Sequence, residues 1–412
     1  MTTCPSCAAD VPLDAGAVPW CERCGWNVDP SPPPAPRSPL ARWWRRRSDR
    51  AAAAVHARLL AEGVGLSRGR LAIALLATAP VHLLTLAVAA GAVWLAVGDV
   101  VTPWLRVPGV VLAAGVLWLI VPWRGASSSS DGRVLAPDGA PATFAVVARV
   151  AEAVGARPPH TVVVVPDLYN ASFGADRRGR RVLELGLPLW NVLDDGARLA
   201  LLGHELGHDV NRDVRRSVPM VLAARSLAGW STLLDPRGVR SRAVAVYNSV
   251  SGTVNLAERV ALWMLHGVHL LVLLLAAGMT SLRGRAQQPA EHRADLVAAQ
   301  VAGRDAVLRL LDSLLLADSA AFALVAARNA GSRDPWAEQR RRFEALPARE
   351  RARMERQGRL RLQRADASHP PTHYRIEIVR AFGAEQGSLD PADGALAAMD
   401  AELRGTRTAA PH

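Results

Sequence analysis

One pentapeptide restricts the fold of this chain more than any other stretch: His204-Glu205-Leu206-Gly207-His208. Two imidazoles four positions apart share a face on a helix. From that face both can donate to one zinc ion, while Glu205, one step round the turn, reaches a water at the same ion. The flanks agree with a helix. Asp194 and Asp195 are candidate N-terminal caps, and Ala197-Arg198-Leu199-Ala200-Leu201-Leu202 is a run of strong helix formers. Two ligands beside a general base form the working part of a metal-dependent hydrolase. The plainer alternative is a surface helix with an incidental histidine pair, and only context separates the two.

Context comes from further along the chain. A catalytic zinc takes three protein ligands and keeps a fourth position open. Glu291-His292-Arg293-Ala294-Asp295 offers the third. Glu291 and Asp295 share one face of a predicted helix, so Glu291 can ligate while Asp295 accepts the distal N–H of a ligating histidine and fixes its tautomer. His292 is a competing ligand that points off this face. Taken alone, the two carboxylates read as an ordinary solvated i, i+4 arrangement.

At this point the chain resembles the membrane-embedded gluzincin metallopeptidases of the HtpX and CaaX-prenyl-protease type. The resemblance rests on His204-Glu205-Leu206-Gly207-His208 continuing through Asn211-Arg212-Asp213, on Glu291 with Ala294-Asp295, on Ser368-His369-Pro370-Pro371-Thr372 closing with Arg375-Ile376, and more weakly on Asn170-Ala171-Ser172-Phe173. It spans roughly residues 70 to 380 and leaves out the first 30. It implies that His369 and Arg375 approach the active site and that a helical hairpin is inserted between the zinc helix and Glu291. It also implies that the Asn170 segment lies between a strand and the zinc helix. A histidine beside the zinc can stabilise an oxyanion. Arg375 can hold a carboxylate or the segment carrying His369. His373 is expected to be an exposed bystander.

Half the residues are hydrophobic and 21% are charged, which suggests apolar spans joined to a water-facing part. Leu71 to Gly98, Val107 to Trp123 and Val260 to Leu282 carry no charged residue and are long enough to be candidate membrane helices. A buried core helix is the alternative for each. His266 and His269, inside the third run, are expected to pack within the bundle. His204, His208 and Glu291 must meet in one compartment, so the third span needs a partner crossing, and Ser217 to Leu234 is the candidate despite Arg225. A charge there must face the bundle or water. Arg42-Trp43-Trp44-Arg45-Arg46-Arg47 precedes the first span and predicts a cytoplasmic N-terminus, with the zinc helix on the same side. The first 30 residues hold no apolar signal-peptide core.

The net charge is +12, and all of the basic residues are Arg. A basic balance admits nucleic acid. Here the arginines scatter or flank apolar runs, which reads as membrane flanks. The expected partners are a peptide or membrane-protein substrate and the lipid bilayer, with no nucleic acid. The oligomeric state is not legible.

A second metal signature opens the chain. Cys4-x-x-Cys7 and Cys21-x-x-Cys24 are two knuckles holding the only four cysteines. In a reducing compartment, four thiolates closing around one structural zinc are favoured over a disulfide or redox pair. A unit of this size cannot build an adequate core without metal. Its expected task is recognition or regulation. Ser31 to Pro36 reads as a semi-rigid linker, and Arg50 to Leu66 as an amphipathic helix. Ala142 to Val154 is a predicted helix. Thr161 to Val165 and Val182 to Leu185 are predicted strands with a turn over Asp176 to Gly179, and a substrate-binding edge strand or its loop is placed at Asn170 to Gly174, with Asn170 and Ala171 as contacts. Trp336 to Arg364 is expected to be a solvated helix or helical hairpin.

These readings give an α+β, mostly helical chain: a zinc ribbon over 1–30, a linker and juxtamembrane helix over 31–70 and a transmembrane hairpin over 71–123. A zincin-like catalytic domain follows over 124–412, with a membrane hairpin inserted at about 217–282. Two zinc ions are expected, a catalytic one on His204, His208 and Glu291 and a structural one on Cys4, Cys7, Cys21 and Cys24. Glu205 is the expected base of a membrane endopeptidase engaged in quality control or processing at the plasma membrane. The alternative is an inactive membrane scaffold that binds partners through the ribbon.

Overall fold

The computed structural model describes residues 1–14, 17–34, 38–64, 132–176, 179–210, 213–235, 256–364, 369–392 and 394–407, most of 72–97, and scattered positions between 102 and 118. In chain order the principal elements are β1 (Thr2–Thr3), β2 (Asp10–Val11), α1 (Pro39–Glu62), α2 (Ala79–Val97), β3 (Arg133–Leu135), α3 (Pro141–Val154), β4 (Thr161–Val165), β5 (Ala171–Ala175) and β6 (Arg181–Gly186). After these come α4 (Leu187–Val192), α5 (Asp195–Val210), α6 (Asp213–Leu233), α7 (Leu256–Ala302), α8 (Arg304–Leu315), α9 (Ala317–Asn329), α10 (Pro335–Glu344), α11 (Ala348–Arg361), α12 (Thr372–Phe382) and α13 (Ala395–Arg407). The fold is α+β and mostly helical. The chain divides into two compact units, residues 1–66 with 126–214 and 287–412, and residues 67–125 with 215–286.

In the first unit a four-stranded sheet runs in the order β3-β4-β6-β5. The Thr161-Val162-Val163-Val164-Val165 run is β-branched throughout, and four of its residues are buried, as a central strand covered on both faces requires. β4 and β6 pair in parallel, and β5 pairs antiparallel with β6 at the edge. The turn near Asp176 therefore joins β5 to β6, whereas the sequence pattern places it between the strands now seen as β4 and β6. Gly186 ends β6 where only glycine fits: a Cβ there would stand 1.8 Å from the Leu168 carbonyl oxygen.

α3 and α5 pack into the same core as the sheet. Val146, Val147 and Val150 meet Leu183, Leu185, Leu199, Leu202 and Leu206 in one buried cluster. Each such side chain contributes roughly 1.5–3 kcal/mol relative to exposure, so packing rather than helix propensity fixes α5. Glu402 of α13 caps α3, accepting from the Ala142 and Thr143 N–H groups at 2.8 and 2.7 Å.

Helices α10 and α11 correct the expectation of a solvated segment over Trp336 to Arg364. Trp336, Gln339, Phe343, Glu350, Arg353, Met354 and Gln357 are buried. The surface that covers much of α11 is the cysteine-rich N-terminus, some 330 positions away in the chain. Local charge density does not reveal that cover.

In the second unit, Val81 of α2, Ala223 and Leu227 of α6 and Met279 of α7 form one cluster. His82 Nε2 lies 3.1 Å from the Pro219 carbonyl. α7 is long and apolar enough to cross a membrane by length and composition, and its apolar part exposes Trp263, Met264, Leu271 and Leu275. His266 is exposed and His269 is partly buried, so the expected packing of His266 inside a bundle does not hold. The apolar run Val107 to Trp123, the loop after α6 and the Asn211-Arg212 pair fall largely outside the described residues.

Candidate metal centre

α5 carries the histidine pair on a helix buried from Gly196 to Gly207. Asp194 caps it, its Oδ1 accepting from the Ala197 N–H at 2.8 Å. Gly203 and Gly207 face α7 closely: added Cβ atoms would lie 3.2 Å from Ala298 Cα and 3.3 Å from Ala294 Cα. Glycine on one helix and alanine on the other bring the two backbones together, and this brings Glu291 to the histidines.

The convergence is tight. Glu291 Oε2 lies 3.6 Å from His204 Nε2, and Oε1 lies 3.7 Å from His208 Nε2. His369 arrives from the chain before α12, with Nε2 3.1 Å from Glu291 Oε2. The donor atoms of His204, Glu291 and His369 all stand within 4.8 Å of one another. Tetrahedral ligands about 2.0–2.1 Å from a zinc ion stand roughly 3.3 Å apart, so the spacing suits such an ion. His204 Nε2 and Glu291 Oε2 are buried and stand 3.6 Å apart, beyond hydrogen-bond length, with His369 Nε2 3.1 Å from the same oxygen; a cation among the three would satisfy the buried atoms. The donor set fits a zinc ion: His204, Glu291 and His369 form the tight cluster, and His208, the ligand expected from the helix spacing, stands outside it with Nε2 3.7 Å from Glu291 Oε1.

Behind the ligands lies a charged support. His204 Nδ1 is 2.9 Å from Asp295 Oδ1. Arg375 of α12 donates two hydrogen bonds to the same carboxylate, at 2.6 and 2.9 Å. Burial opposes charge on His204, but hydrogen bonding to Asp295 and the Glu291 carboxylate beside Nε2 outweigh it and push the imidazole up to about 9, and the Nε2 proton so held is the one a cation there would replace. Burial also opposes charge on Glu291 and Asp295. His369, His208 and His204 hold Glu291 far below the usual carboxylate range, and Arg375 and His204 do the same for Asp295. Both acids therefore stay ionised, as a ligand and its support must.

Glu205 is buried beside the pair on α5. Asn170 and Ala171 lie at the start of the edge strand. The Asn170 carbonyl accepts from the Gly186 N–H at 2.9 Å, and Ala171 pairs with Leu185. His292 is buried and stands outside the donor cluster, with burial bringing it down to about 4. His373, expected to be exposed, is also buried, near His56 and Glu377. α1 covers it, a helix whose docking partner the sequence pattern does not indicate.

The four cysteines form a second donor cluster. Cys4 and Cys24 sulfurs are 3.6 Å apart, as are those of Cys7 and Cys21. Thiolates about 2.3 Å from one zinc stand roughly 3.8 Å apart, whereas a disulfide needs about 2.05 Å. A hydrogen bond from the Cys24 N–H leads the effects that lower Cys21 to about 7. The Trp26 N–H favours the Cys24 thiolate, but burial and the three neighbouring sulfurs push Cys24 up to about 12. Four sulfurs this close cannot all ionise without a cation among them.

A buried HExxH helix, an acidic third donor from a following helix and an Arg-supported aspartate define a metallopeptidase site of the glutamate-ligand class. Residues 141–382 match the sequence model of peptidase family M48, and the chain belongs to that family. It is a metallopeptidase, a hydrolase of peptide bonds. No curated protein and no solved structure matches the chain.

Proposed function

We propose that this chain is a zinc-dependent membrane endopeptidase whose site lies on the cytoplasmic side. The observation that supports the reading is the buried cluster of His204, Glu291 and His369 donor atoms, with His208 Nε2 3.7 Å from the other Glu291 oxygen and Glu205 buried on the same helix as the histidine pair. Zinc, when bound there, acts as a Lewis acid that acidifies a water and polarises a peptide carbonyl. His204, His208 and Glu291 hold the ion. Glu205 takes the proton of the attacking water and later gives it to the leaving amine. His369 donates a hydrogen bond to the carbonyl oxygen as negative charge develops on it. Asp295 and Arg375 keep His204 in the tautomer that leaves Nε2 free.

The substrate is a peptide in extended form. In an antiparallel pair, residues alternate between facing the partner strand and facing away. Asn170 and Asp176 bond toward β6. By that alternation Ala171, Phe173 and Ala175 turn their N–H and C=O groups to the unpaired edge, where a peptide can add as a further strand. The apolar faces of α2 and α7 support membrane residence, and the Arg42–Arg47 cluster supports a cytoplasmic N-terminus. Membrane proteins in quality control or processing are the proposed substrates, and no nucleic-acid partner is proposed.

The test is Glu205→Gln in the purified full chain, assayed on casein and for self-cleavage. Cleavage should drop below detection while zinc content stays at the wild-type value. Unchanged cleavage removes Glu205 as the base and the peptidase mechanism with it.

A further inference from the structure

The cysteine-rich N-terminus is bolted onto α11 along one face of that helix. Trp20 is buried under Arg349 and Arg356, whose guanidinium carbons lie 5.4 and 6.0 Å from its ring centre. Arg353, itself buried, donates to the Val28 carbonyl at 2.7 Å and pairs with Glu350. Glu350 accepts from the Val18 N–H at 3.3 Å. Arg356 donates to the Glu22 carbonyl at 2.8 Å. At the end of the helix, Gln357 and Arg361 both donate to Asp29, and Arg361 also reaches the Ser31 carbonyl. Positions 349, 353, 356, 357 and 361 form a single helical stripe. The face carrying Trp20, Val28 and Asp29 is thus occupied within the molecule.

Beyond α11 lie Leu362 and Gln363, and His369 of the metal centre follows six positions further along the chain. Arg361 is the last residue of the helix. Leu362 turns the chain in the left-handed region (φ 51°). Gln363 is tied three ways: its N–H to the Gly358 carbonyl at 2.8 Å, its side-chain amide to the Leu315 carbonyl at 3.2 Å, and its carbonyl to the Thr372 N–H at 2.8 Å. His369 stands between these tied positions. On the far side α1 completes the support. Asp49 lies 3.6 Å from Arg364, His56 stacks on Tyr374 at 4.1 Å, and Val55 and Leu59 pack on Ile378 of α12.

We propose that the N-terminal ribbon is a metal-dependent brace for His369, with Asp29, acting through Arg361, as a positioning residue for the peptidase reaction. The inference rests on the role given to His369 above. The ribbon's own buried cluster consists of little beyond Cys4, Val11 and Cys21, so its shape depends on the ion those thiolates hold. Loss of that ion releases Asp29, and Arg361 then loses the partner that holds the end of α11 next to Leu362 and Gln363. Metal in the ribbon thereby sets the turnover at the other metal centre without touching substrate.

The test is a double-mutant cycle in the full-length protein, read by peptide cleavage, by metal content and by hydrogen exchange of peptides covering 362–374. Asp29→Ala should lower kcat about tenfold with KM and both metal ions unchanged, and should raise exchange over 362–374. Asp29→Glu should recover part of the loss. In a His369→Ala background the same Asp29→Ala change should have no further effect on residual kcat, because coupled sites do not add. Cys4→Ser with Cys7→Ser, which removes the ribbon metal alone, should reproduce the Asp29→Ala result. Wild-type kcat and exchange in Asp29→Ala overturn the proposal, as does an equal loss in the two backgrounds. Should a variant fail to accumulate, exchange in Asp29→Asn decides, since it reads positioning without activity. Normal cleavage by Glu205→Gln would instead strike the peptidase reading, so the two failures are distinct.

Discussion

Arg375 grips Asp295 with two parallel hydrogen bonds, Nε to Oδ2 at 2.9 Å and a terminal nitrogen to Oδ1 at 2.6 Å, and both side chains are buried. Asp295 in turn faces His204 Nδ1, so an arginine on one helix fixes a ligand on another. Support of this kind is worth about 10–100-fold in metal affinity. Asp295→Asn should weaken zinc binding by that order and strand a buried guanidinium, destabilising the protein by about 3–5 kcal/mol. Arg375→Lys keeps the charge but loses the fork and should be milder in both respects. Zinc titration against a chelating dye, alongside thermal melting, separates these outcomes. Wild-type affinity in Asp295→Asn would show that the support is ornamental.

The glycines at the α5–α7 contact should be intolerant of bulk. A side chain at Gly203 meets Ala298 and Val301 at once. Gly203→Val should cost about 1–3 kcal/mol through overpacking, and it should push Glu291 away from the histidines. Metal analysis is expected to fall from two zinc ions per chain to one, the ribbon ion remaining.

The edge strand permits a selective change. Phe173 turns its N–H to the unpaired edge, so Phe173→Pro leaves the ladder to β6 intact. One substrate hydrogen bond worth about 0.5–1.5 kcal/mol disappears, which predicts a rise in KM of about two- to twelvefold with kcat little changed. Ser172→Pro, whose N–H faces β6, should impair folding instead. An unchanged KM in Phe173→Pro would remove strand addition as the binding mode.

Acid should loosen the contact between α1 and α12. Burial lowers His373 from the usual 6.5 to about 4 and lowers His56 as well, against the opposing charge of Glu377. The unfolded chain binds more protons than the folded one between these values. The stability contribution is therefore complete above about pH 6.5 and is lost as pH falls through about 4. Acid acts on other sites of the chain as well, so the comparison is with His373→Asn. The variant should show a shallower fall in melting temperature from pH 6.5 to 4 than the wild type. Parallel curves would contradict the assignment.

Much of the metal centre is legible in the sequence because its parts obey local rules. His204 and His208 share a face by helical spacing, Glu291 and Asp295 do likewise, and Pro370-Pro371 ends the approach before α12 as proline requires. The strand order is less accessible. β5, with its short Ala171-Ser172-Phe173-Gly174-Ala175 run, carries weak periodicity, so local pattern alone puts the hairpin one strand too early. His373 reads as exposed because its cover, α1, lies far away in the chain.

The chain's own order of residues determined which side chains can face one another within a single helix, that four thiols stand in two knuckles, and where apolar runs are long enough for a bilayer. Spacing along a regular backbone decides such matters, since each depends on neighbours within a turn or two. Tertiary packing alone decided that glycine against alanine brings Glu291 to the histidines, and that Asp29 holds Arg361 at the approach to His369. Those contacts join segments far apart in the chain, and their partners are chosen by shape and buried charge, which no local periodicity encodes.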